Sequence, residues 1–148
     1  MIKATFYIFY YFMKAKPAQE IKAVHVFSRT VMPWHLDLNI HVNNTKYLSF
    51  GNQARLVYLA KSKVLNLFLK DKITPVIYRN DITYYKSLKL FDTFKVETTL
   101  KEVQNDQVIL KHVFMKEKSK MAELTSYIKL FSKEGRIDPI ALFNQHYK

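Results

Sequence analysis

Residues 33–55 read P-W-H-L-D-L-N-I-H-V-N-N-T-K-Y-L-S-F-G-N-Q-A-R, a polar segment that runs directly into an apolar one. Within eight residues its first half carries one carboxylate, one imidazole and three amides, from Asp37, Asn39, His41, Asn43 and Asn44. Asn and Asp favour turns and helix starts, so one interpretation is a polar turn that caps a helix. The other is a catalytic or binding loop at the start of a helix, and the spacing alone does not separate the two.

The residues after this loop predict a long, largely buried helix over residues 45–69. Apolar side chains recur at helical intervals and occupy most of its sides: Tyr47, Leu48, Ala54, Leu56, Tyr58, Leu59 and Leu65. Asn43 or Asn44 is expected to cap the first turn. Gly51 lowers helix stability relative to Ala, and we expect it to allow the close approach of a neighbouring backbone.

The remaining segments predict β-strands. Strands are expected at residues 21–32, 76–86, 94–101, 108–115 and 122–132, with turns at 104–107 and 116–120. In the tail after Ile137, Pro139 is expected to stop the preceding structure, and a short helical turn is left open. A helix that is apolar on most sides has to be wrapped, and a curved antiparallel sheet is what this chain offers. We therefore predict an α+β fold, with one long central helix wrapped by five to six strands.

Composition narrows the possible chemistry. A chain of 148 residues fits a single domain over residues 1–148. The absence of cysteine excludes disulfides, thiolate metal sites and a cysteine nucleophile, and two glycines exclude a Gly-rich phosphate loop. His25, His112 and His146 are scattered without ligand spacing, so neither a metal site nor a cofactor is predicted.

The charge of the chain does not select a partner. The formal net charge is +12, and the lysines are dispersed from Lys3 to Lys148. Such a balance suits nucleic acid, an anionic membrane, or an acidic ligand such as coenzyme A or an acyl carrier protein, and it also serves solubility alone. The chain lacks the motifs of the common nucleic-acid-binding folds, so we predict no nucleic-acid partner.

Residues 1–16 form an aromatic N-terminal segment whose apolar part, A-T-F-Y-I-F-Y-Y-F-M at residues 4–13, is bracketed by lysines. It is shorter than the roughly 20 apolar residues that span a bilayer, and it lacks the cleavage site of a secretory signal. One interpretation is a helix packed on the body or on a partner subunit. The other is an interfacial anchor, in which residues 4–13 contact the inner face of a membrane from the cytoplasm.

The segment D-L-N-I-H-V-N-N-T-K-Y at residues 37–47 resembles the D-x-N-x-H-V-N-N-x-K-Y signature of plant acyl-carrier-protein thioesterases. It also resembles the D-L-D-L-N-L-H-M-N-N-x-R-Y-L segment of a bacterial and animal branch of hotdog-fold acyl thioesterases, relatives of the 4-hydroxybenzoyl-CoA thioesterases. Residues 29–32, Arg55 and residues 75–96 match that branch too, so the resemblance covers most of the chain. It implies the hotdog fold.

Two departures from these families stand out. His35 lies where the bacterial branch usually has an Asp, two residues before the position of Asp37. The plant enzymes also carry a downstream Glu-Cys pair, which a chain without cysteine cannot supply. A mechanism that needs a thiol is therefore excluded, whereas one that rests on Asp37 remains open.

The resemblance implies hydrolysis of fatty acyl-CoA or of acyl carrier protein thioesters. Asp37 would be the base or nucleophile, Asn39 would hold the thioester or a water, and His41 would orient a partner or shuttle a proton. Free N–H groups at the helix start would form an oxyanion hole. The substrate-binding candidates are Asn43, Asn44, Tyr47 and Arg55.

Each candidate also has a structural interpretation. Asp37 and Asn43 are suited to capping, His41 to a packed role, and Arg55 to a pair with a carboxylate inside the fold or across a subunit boundary. The resemblance implies a homodimer or homotetramer with active sites at the subunit interface and the acyl chain beside the helix. The alternative function is a non-catalytic hotdog protein that binds acyl groups or lipids.

Overall fold

The computed structural model describes residues 21–146, which form one curved antiparallel sheet around a central helix. The strands are β1 (His25–Thr30), β2 (Thr74–Tyr84), β3 (Thr93–Val103), β4 (Val108–Lys116), β5 (Ser119–Ser132) and β6 (Gly135–Ile137). The helices are α1 (Asn44–Lys61), α2 (Val64–Lys70) and α3 (Pro139–His146), and a 3₁₀ turn lies at Pro33–His35. The aromatic segment at residues 4–13 lies outside the described residues.

The strands are ordered β1-β3-β4-β5-β2, and β6 also pairs with β5. Phe131 of β5 pairs with Thr74 of β2 on one side and with Arg136 of β6 on the other, so β6 extends the side that β4 occupies. Among residues 21–146, strands β1 and β2 are therefore the two edges of the main sheet. Register shifts within the β2–β5, β3–β4 and β4–β5 pairs are the kind of bulge that increases local twist and bends a strand.

Helix α1 lies against the inner face of the sheet because apolar side chains alternate along the strands. Phe50 of α1 packs its ring 5.0 Å from that of Phe94 in β3, and Tyr47 lies 5.4 Å from Phe114 in β4. The sheet residues Phe94, Val96 and Phe114 are almost fully buried. A wrapped central helix in an α+β fold with a six-stranded sheet confirms the prediction, and this arrangement is the hotdog architecture.

The predicted helix over residues 45–69 is in fact two helices. Helix α1 ends at Lys61, and Lys63 adopts a left-handed conformation with φ 63° before α2 begins at Val64. The apolar pattern continues through both helices because Val64, Leu67 and Phe68 are buried in the same core as Tyr58 and Leu59. Periodicity therefore could not reveal the break.

Two smaller expectations are also corrected. A Cβ on Gly51 would overlap the side chain of Leu124, not a neighbouring backbone. Pro139 begins α3, where its missing N–H costs nothing, and Asp138 accepts a 2.8 Å hydrogen bond from the Ile140 amide. Between residues 21 and 146, no helix has the length and apolar character needed to cross a membrane.

Candidate active site

The polar loop folds into a tight hairpin directly before α1. Leu36 and Val42 form a β-bridge at its base, and the Asp37 amide donates a 2.9 Å hydrogen bond to the His41 carbonyl. The Ile40 amide donates to the Asp37 carbonyl at 3.1 Å, and Ile40 itself has φ 60°. Every residue from Asp37 to His41 is therefore fixed in a short turn, and each is exposed at its surface.

Asp37 has one engaged and one open carboxylate oxygen. Oδ1 accepts a 2.8 Å hydrogen bond from the Asn39 amide, which closes an Asx turn. Within residues 21–146, Oδ2 has no hydrogen-bond partner. The carboxylate is thus oriented by the backbone while one oxygen stays available to a ligand or a water.

The N-terminus of α1 follows within two residues of this hairpin. Asn43 caps it, because its Oδ1 accepts hydrogen bonds from the amide and the hydroxyl of Thr45 at 2.9 and 2.7 Å. The prediction that Asn43 or Asn44 caps the helix is confirmed, with Asn43 as the cap. The Asn44 amide has no acceptor among the described residues. It lies at the positive end of the helix dipole, so it is suited to bind a developing negative charge.

His35 fixes the base of the hairpin from inside the protein. Its Nδ1 accepts a 3.0 Å hydrogen bond from the Met32 amide, its carbonyl accepts one from the Asn43 amide at 2.9 Å, and its ring packs 5.0 Å from Phe50. Burial, together with the nearby Arg29 and Lys46 cations, lowers the pKa of His35 below 6.5. A neutral ring is what an accepting Nδ1 requires. His35, which differs from the Asp usual in the bacterial branch, therefore has a structural role at the base of the hairpin.

A second loop, residues 86–92, holds the other side of the hairpin. The Val42 amide donates to the Leu88 carbonyl at 3.0 Å, and His41 forms a β-bridge with Lys89. The Leu88 amide in turn donates to the Tyr47 hydroxyl at 3.2 Å. Tyr47 is buried, and burial raises the pKa of its phenol, so the hydroxyl stays protonated. Tyr47 thus supports the site from within.

The structure brings five of the seven predicted site residues to one place: Asp37, Asn39, His41, Asn43 and Asn44. Tyr47 lies one turn into α1 but points to the core. Arg55 is about three turns along α1, roughly 16 Å from Asn44 at the usual helical rise. No group of three or more potential metal ligands lies together within residues 21–146.

Arg55 is half-buried and lies apart from the hairpin, near the buried His112. Its Nη2 donates to Asn52 at 2.7 Å, whereas its buried Nη1 has no partner among the described residues. Burial lowers the pKa of Arg55 to about 10. His112 is fully buried and shares a 2.8 Å hydrogen bond with Thr98, and its burial, with the nearby Arg55 charge, lowers its pKa to about 3.

An apolar cavity of about 20 Å³ lies beside Arg55, between the C-terminal half of α1 and the sheet. That volume is close to the space of a single water molecule. Its walls include Tyr58, Leu59, Phe68, Leu110, Ile128 and Phe143. The space therefore lies at the opposite end of α1 from the Asp37 hairpin.

Fold and site together define a hotdog protein with a polar loop at the helix start. Residues 31–140 match the family model of the thioesterase-like superfamily, a range that includes the hairpin, α1 and strands β2 to β6. The chain belongs to this superfamily.

Individual relatives share about a third of the aligned residues. The chain is 30% identical over 83 residues to the long-chain acyl-CoA thioesterase FadM of Escherichia coli (strain K12), covering 56% of this chain and 63% of FadM. It is 32% identical over 76 residues to protein THEM6 of Xenopus laevis, covering 51% and 37%. The match thus spans less than two thirds of each relative. The crystal structure of YbaW, a probable thioesterase from E. coli, superposes with TM-score 0.72 at 24% identity, covering 76% of this chain and 87% of YbaW.

Proposed function

We propose that this protein hydrolyses fatty acyl thioesters, with acyl-CoA or acyl carrier protein as the carrier. The observation that carries the proposal is the position of Asp37, whose open Oδ2 lies on the hairpin directly before α1, where the Asn44 amide has no acceptor among the described residues. Thioester hydrolysis needs an activated water and a stabilised oxyanion, and these two groups are suited to supply them. The name of FadM, a long-chain acyl-CoA thioesterase, supports acyl-CoA as the substrate class.

Asp37 would act as the general base. Its Oδ2 would take a proton from a water while the water oxygen bonds to the thioester carbonyl carbon. The tetrahedral intermediate would then break its carbon–sulfur bond, and the proton on Asp37 would pass to the leaving thiolate. The products are a carboxylic acid and the free thiol of the carrier, and Asp37 returns to its starting state.

The Asn44 amide would stabilise the oxyanion of that intermediate. Its N–H has no acceptor among the described residues, and the dipole of α1 adds partial positive charge at the same place. Loss of one such donor typically costs about 3–4 kcal/mol of transition-state stabilisation. Asn43 contributes indirectly, because its cap determines where the helix begins.

The other candidates take supporting parts in this proposal. Asn39 and His41 lie exposed on the same hairpin, so their side chains are free to hold the thioester or the water. Tyr47 would position the hairpin through Leu88. Arg55 and the apolar cavity beside it would mark the far end of the path that the acyl chain follows along α1.

We further propose a homodimer with the active site at the subunit interface. Among the described strands, β2 is an edge strand of eleven residues with nearly all of its side chains exposed, and an edge of that length favours pairing with another strand. Its last residue reaches the active-site end of α1, since the Tyr84 hydroxyl donates to the Asn44 carbonyl at 3.3 Å. A partner on this edge would therefore lie beside the site. Contact of residues 4–13 with a membrane remains part of the proposal.

The direct test is the Asp37→Asn variant in a thiol-release assay across acyl-CoA substrates of increasing chain length. A positioned general base typically contributes about 10²–10⁴-fold, so kcat should fall by that factor while KM changes little. Asp106→Asn is the control, because Asp106 is a half-buried carboxylate, paired with Arg136 at 3.1 Å, in the turn between β3 and β4 and outside the hairpin. If Asp37→Asn keeps most of the wild-type rate on the best substrate, the catalytic assignment is wrong.

A non-catalytic acyl-binding protein is the second candidate, and the Asx turn at Asp37 favours it. A carboxylate that closes a turn has a structural task even without chemistry. Such a protein would bind acyl-CoA without releasing thiol, and Asp37→Asn would leave both its acyl-CoA affinity and its stability unchanged. Isothermal titration with a long-chain acyl-CoA, alongside the thiol assay, separates the two candidates.

A further inference from the structure

We propose that the Asp37 hairpin, with the 3₁₀ turn that precedes it, and the adjoining loop of residues 86–92 form a surface that docks on an anionic lipid bilayer. Four large apolar side chains on these loops are exposed: Leu38 by 102%, Ile40 by 68%, Phe91 by 65% and Trp34 by 64% of their full area. We call these four residues the tip surface. Large apolar groups gathered at one place on a protein surface usually mark a contact site.

The tip surface is built on one connected backbone. Trp34 lies in the 3₁₀ turn, and Leu38 and Ile40 lie at the end of the hairpin that follows it. The Phe91 amide donates to the Val31 carbonyl at 3.0 Å, and the Val31 amide donates to the Asp92 carbonyl at 2.8 Å. With the bridge between His41 and Lys89, these bonds fix the two loops side by side.

Backbone conformation shows that two of these apolar residues occupy costly positions. Ile40 has φ 60° and Phe91 has φ 62°, in the left-handed region where glycine or asparagine is strongly preferred. The β-branched side chain of Ile40 makes this conformation especially unfavourable. In the isolated chain, each residue therefore combines backbone strain with an apolar side chain in water. Burial of these side chains in an apolar phase would remove the cost of their exposure to water and would offset the backbone strain.

The charges around the tip surface match an anionic bilayer. Lys86 and Lys89 lie exposed on the second loop, and Lys46 lies in the first turn of α1. Two acidic residues lie on these loops: Asp92 is paired with Lys116 at 2.7 Å, and the exposed Asp37 offsets one of the three lysines, so the balance stays positive. The whole chain carries +12. Apolar tips that include a Trp, flanked by lysines, are typical of proteins that bind at the lipid headgroup level.

A second copy of the chain is a poorer occupant of this surface. A two-fold contact through the tip surface would use the same patch on both copies and would therefore enclose Lys46, Lys86 and Lys89 of each copy in one interface. The edge of β2 already offers backbone groups for such pairing. The charge pattern therefore favours lipid over self-association here.

This docking is distinct from the proposed contact of residues 4–13, and it does not require that the proposed hydrolysis be correct. If the protein does hydrolyse acyl thioesters, docking would hold Asp37, the neighbour of Leu38, at the bilayer surface where long-chain acyl thioesters partition. A vesicle measurement tests docking, and a thiol-release assay with a short, water-soluble acyl-CoA tests hydrolysis separately.

Trp34 is the only tryptophan of the chain, so its fluorescence reports directly on the tip surface. The chain of 148 residues is mixed with vesicles of phosphatidylcholine alone, or with vesicles that also contain phosphatidylglycerol. We expect a blue shift of Trp34 emission with the anionic vesicles, quenching by lipids brominated on their acyl chains, and weaker binding as salt is raised.

Three sets of variants define the contact. The double variant Ile40→Asn/Phe91→Asn should lower vesicle partitioning about ten-fold or more, because two apolar side chains are lost, while Asn tolerates the left-handed backbone. Lys86→Gln and Lys89→Gln should each lower it about five-fold. Leu69→Gln is the matched control, since Leu69 is equally exposed but lies on α2, beyond the other end of α1, and its partitioning should equal wild type.

Three results would overturn the proposal. Trp34 emission that stays unchanged while the protein binds vesicles would assign membrane contact to another segment. Binding by Ile40→Asn/Phe91→Asn equal to wild type would exclude the tip surface. Trp34 emission that is already blue-shifted without lipid, and that shifts to the red on dilution, would show that a second copy covers it.

Discussion

The Asn39 amide donates a 2.8 Å hydrogen bond to Oδ1 of Asp37, which closes a turn at the end of an exposed hairpin. One oxygen of the carboxylate therefore orients the side chain, and the other remains open. A carboxylate and an amide have the same shape, so substitutions at Asp37 can separate the two tasks.

The first prediction compares stability at Asp37. Asp37→Asn keeps an oxygen that accepts from the Asn39 amide, so its free energy of unfolding should stay close to that of wild type. Asp37→Ala removes that acceptor and should lower the free energy of unfolding by about 1 kcal/mol, the usual size of one hydrogen bond. Urea denaturation of both variants measures this difference. Equal destabilisation of the two would mean that the Asx turn is not what holds the loop.

The second prediction concerns the cap of α1. Asn43→Ala removes the oxygen that accepts from Thr45, and loss of an N-cap typically costs about 1 kcal/mol. Asn43→Asp and Asn43→Ser keep a capping oxygen and should recover most of this stability. If the helix start also positions the oxyanion donor, kcat should fall in Asn43→Ala and recover in Asn43→Ser. Stability that recovers without recovery of kcat would argue for a direct role of the Asn43 amide group.

The sheet could be predicted from sequence because its alternation is a local property. Along β3, β4 and β5, every second residue points to α1, as the burial of Val96, Leu110 and Leu124 shows. The break between α1 and α2 could not be predicted. It is made by a left-handed Lys63, which carries no glycine or proline signal, while the core contacts continue through both helices.

The candidate site was predictable only where its parts are neighbours in the chain. Asp37, Asn39 and Asn44 lie within eight residues, so their spacing places them together. Tyr84 and Leu88 lie about forty residues later in the chain, yet they contact the same end of α1. The Tyr84 hydroxyl donates to the Asn44 carbonyl, and the Leu88 amide donates to the Tyr47 hydroxyl. No periodicity encodes that approach. The direction of Tyr47 into the core likewise depends on Leu88 and Phe114, which lie on distant segments.

The third prediction concerns Gly51 and Leu124. Alanine at position 51 favours helix by up to about 1 kcal/mol, but its Cβ would overlap the buried end of Leu124, and overpacking typically costs about 1–3 kcal/mol. We expect Gly51→Ala to be destabilising overall. In combination with Leu124→Ala, which removes the overlapping atoms, the same substitution should instead be stabilising. A double-mutant cycle in urea measures this coupling, and additive effects would show that Leu124 simply moves aside.

The fourth prediction is a dependence of stability on pH that originates at His112. Burial beside Arg55 lowers its pKa to about 3 in the folded protein, against 6.5 for an ordinary histidine. Between these values the unfolded chain binds a proton that the folded protein excludes, so the free energy of unfolding falls as pH is lowered. The loss from this residue should be about 1.4 kcal/mol per pH unit below pH 6.5.

Replacement of His112 isolates its share of that dependence. His112→Gln keeps a polar group beside Thr98 but cannot take up a proton in this range. Urea denaturation between pH 7.5 and 4.5 should give a shallower fall for His112→Gln than for wild type, with part of the slope left because the pKa of His35 is also lowered. Identical slopes for both proteins would mean that His112 takes up a proton in the folded state as readily as in the unfolded chain.

The last prediction tests the dimer through its two sheet edges. Strand β2 exposes Val76, Tyr78 and Tyr84 along an edge with which no other described strand pairs, whereas β1 at the other edge is shorter and alternates buried with exposed residues. A charge on the edge that pairs should repel its own copy across a two-fold axis.

Val76→Lys on β2 should therefore raise the dimer dissociation constant about ten-fold or more, since even one lost apolar contact is worth about 1–2 kcal/mol. Val26→Lys on β1 introduces the same charge at the other edge and should leave the constant unchanged. Light scattering over a range of protein concentrations measures both variants. A wild-type monomer at micromolar concentration, or equal effects at the two edges, would remove the basis for an active site shared between subunits.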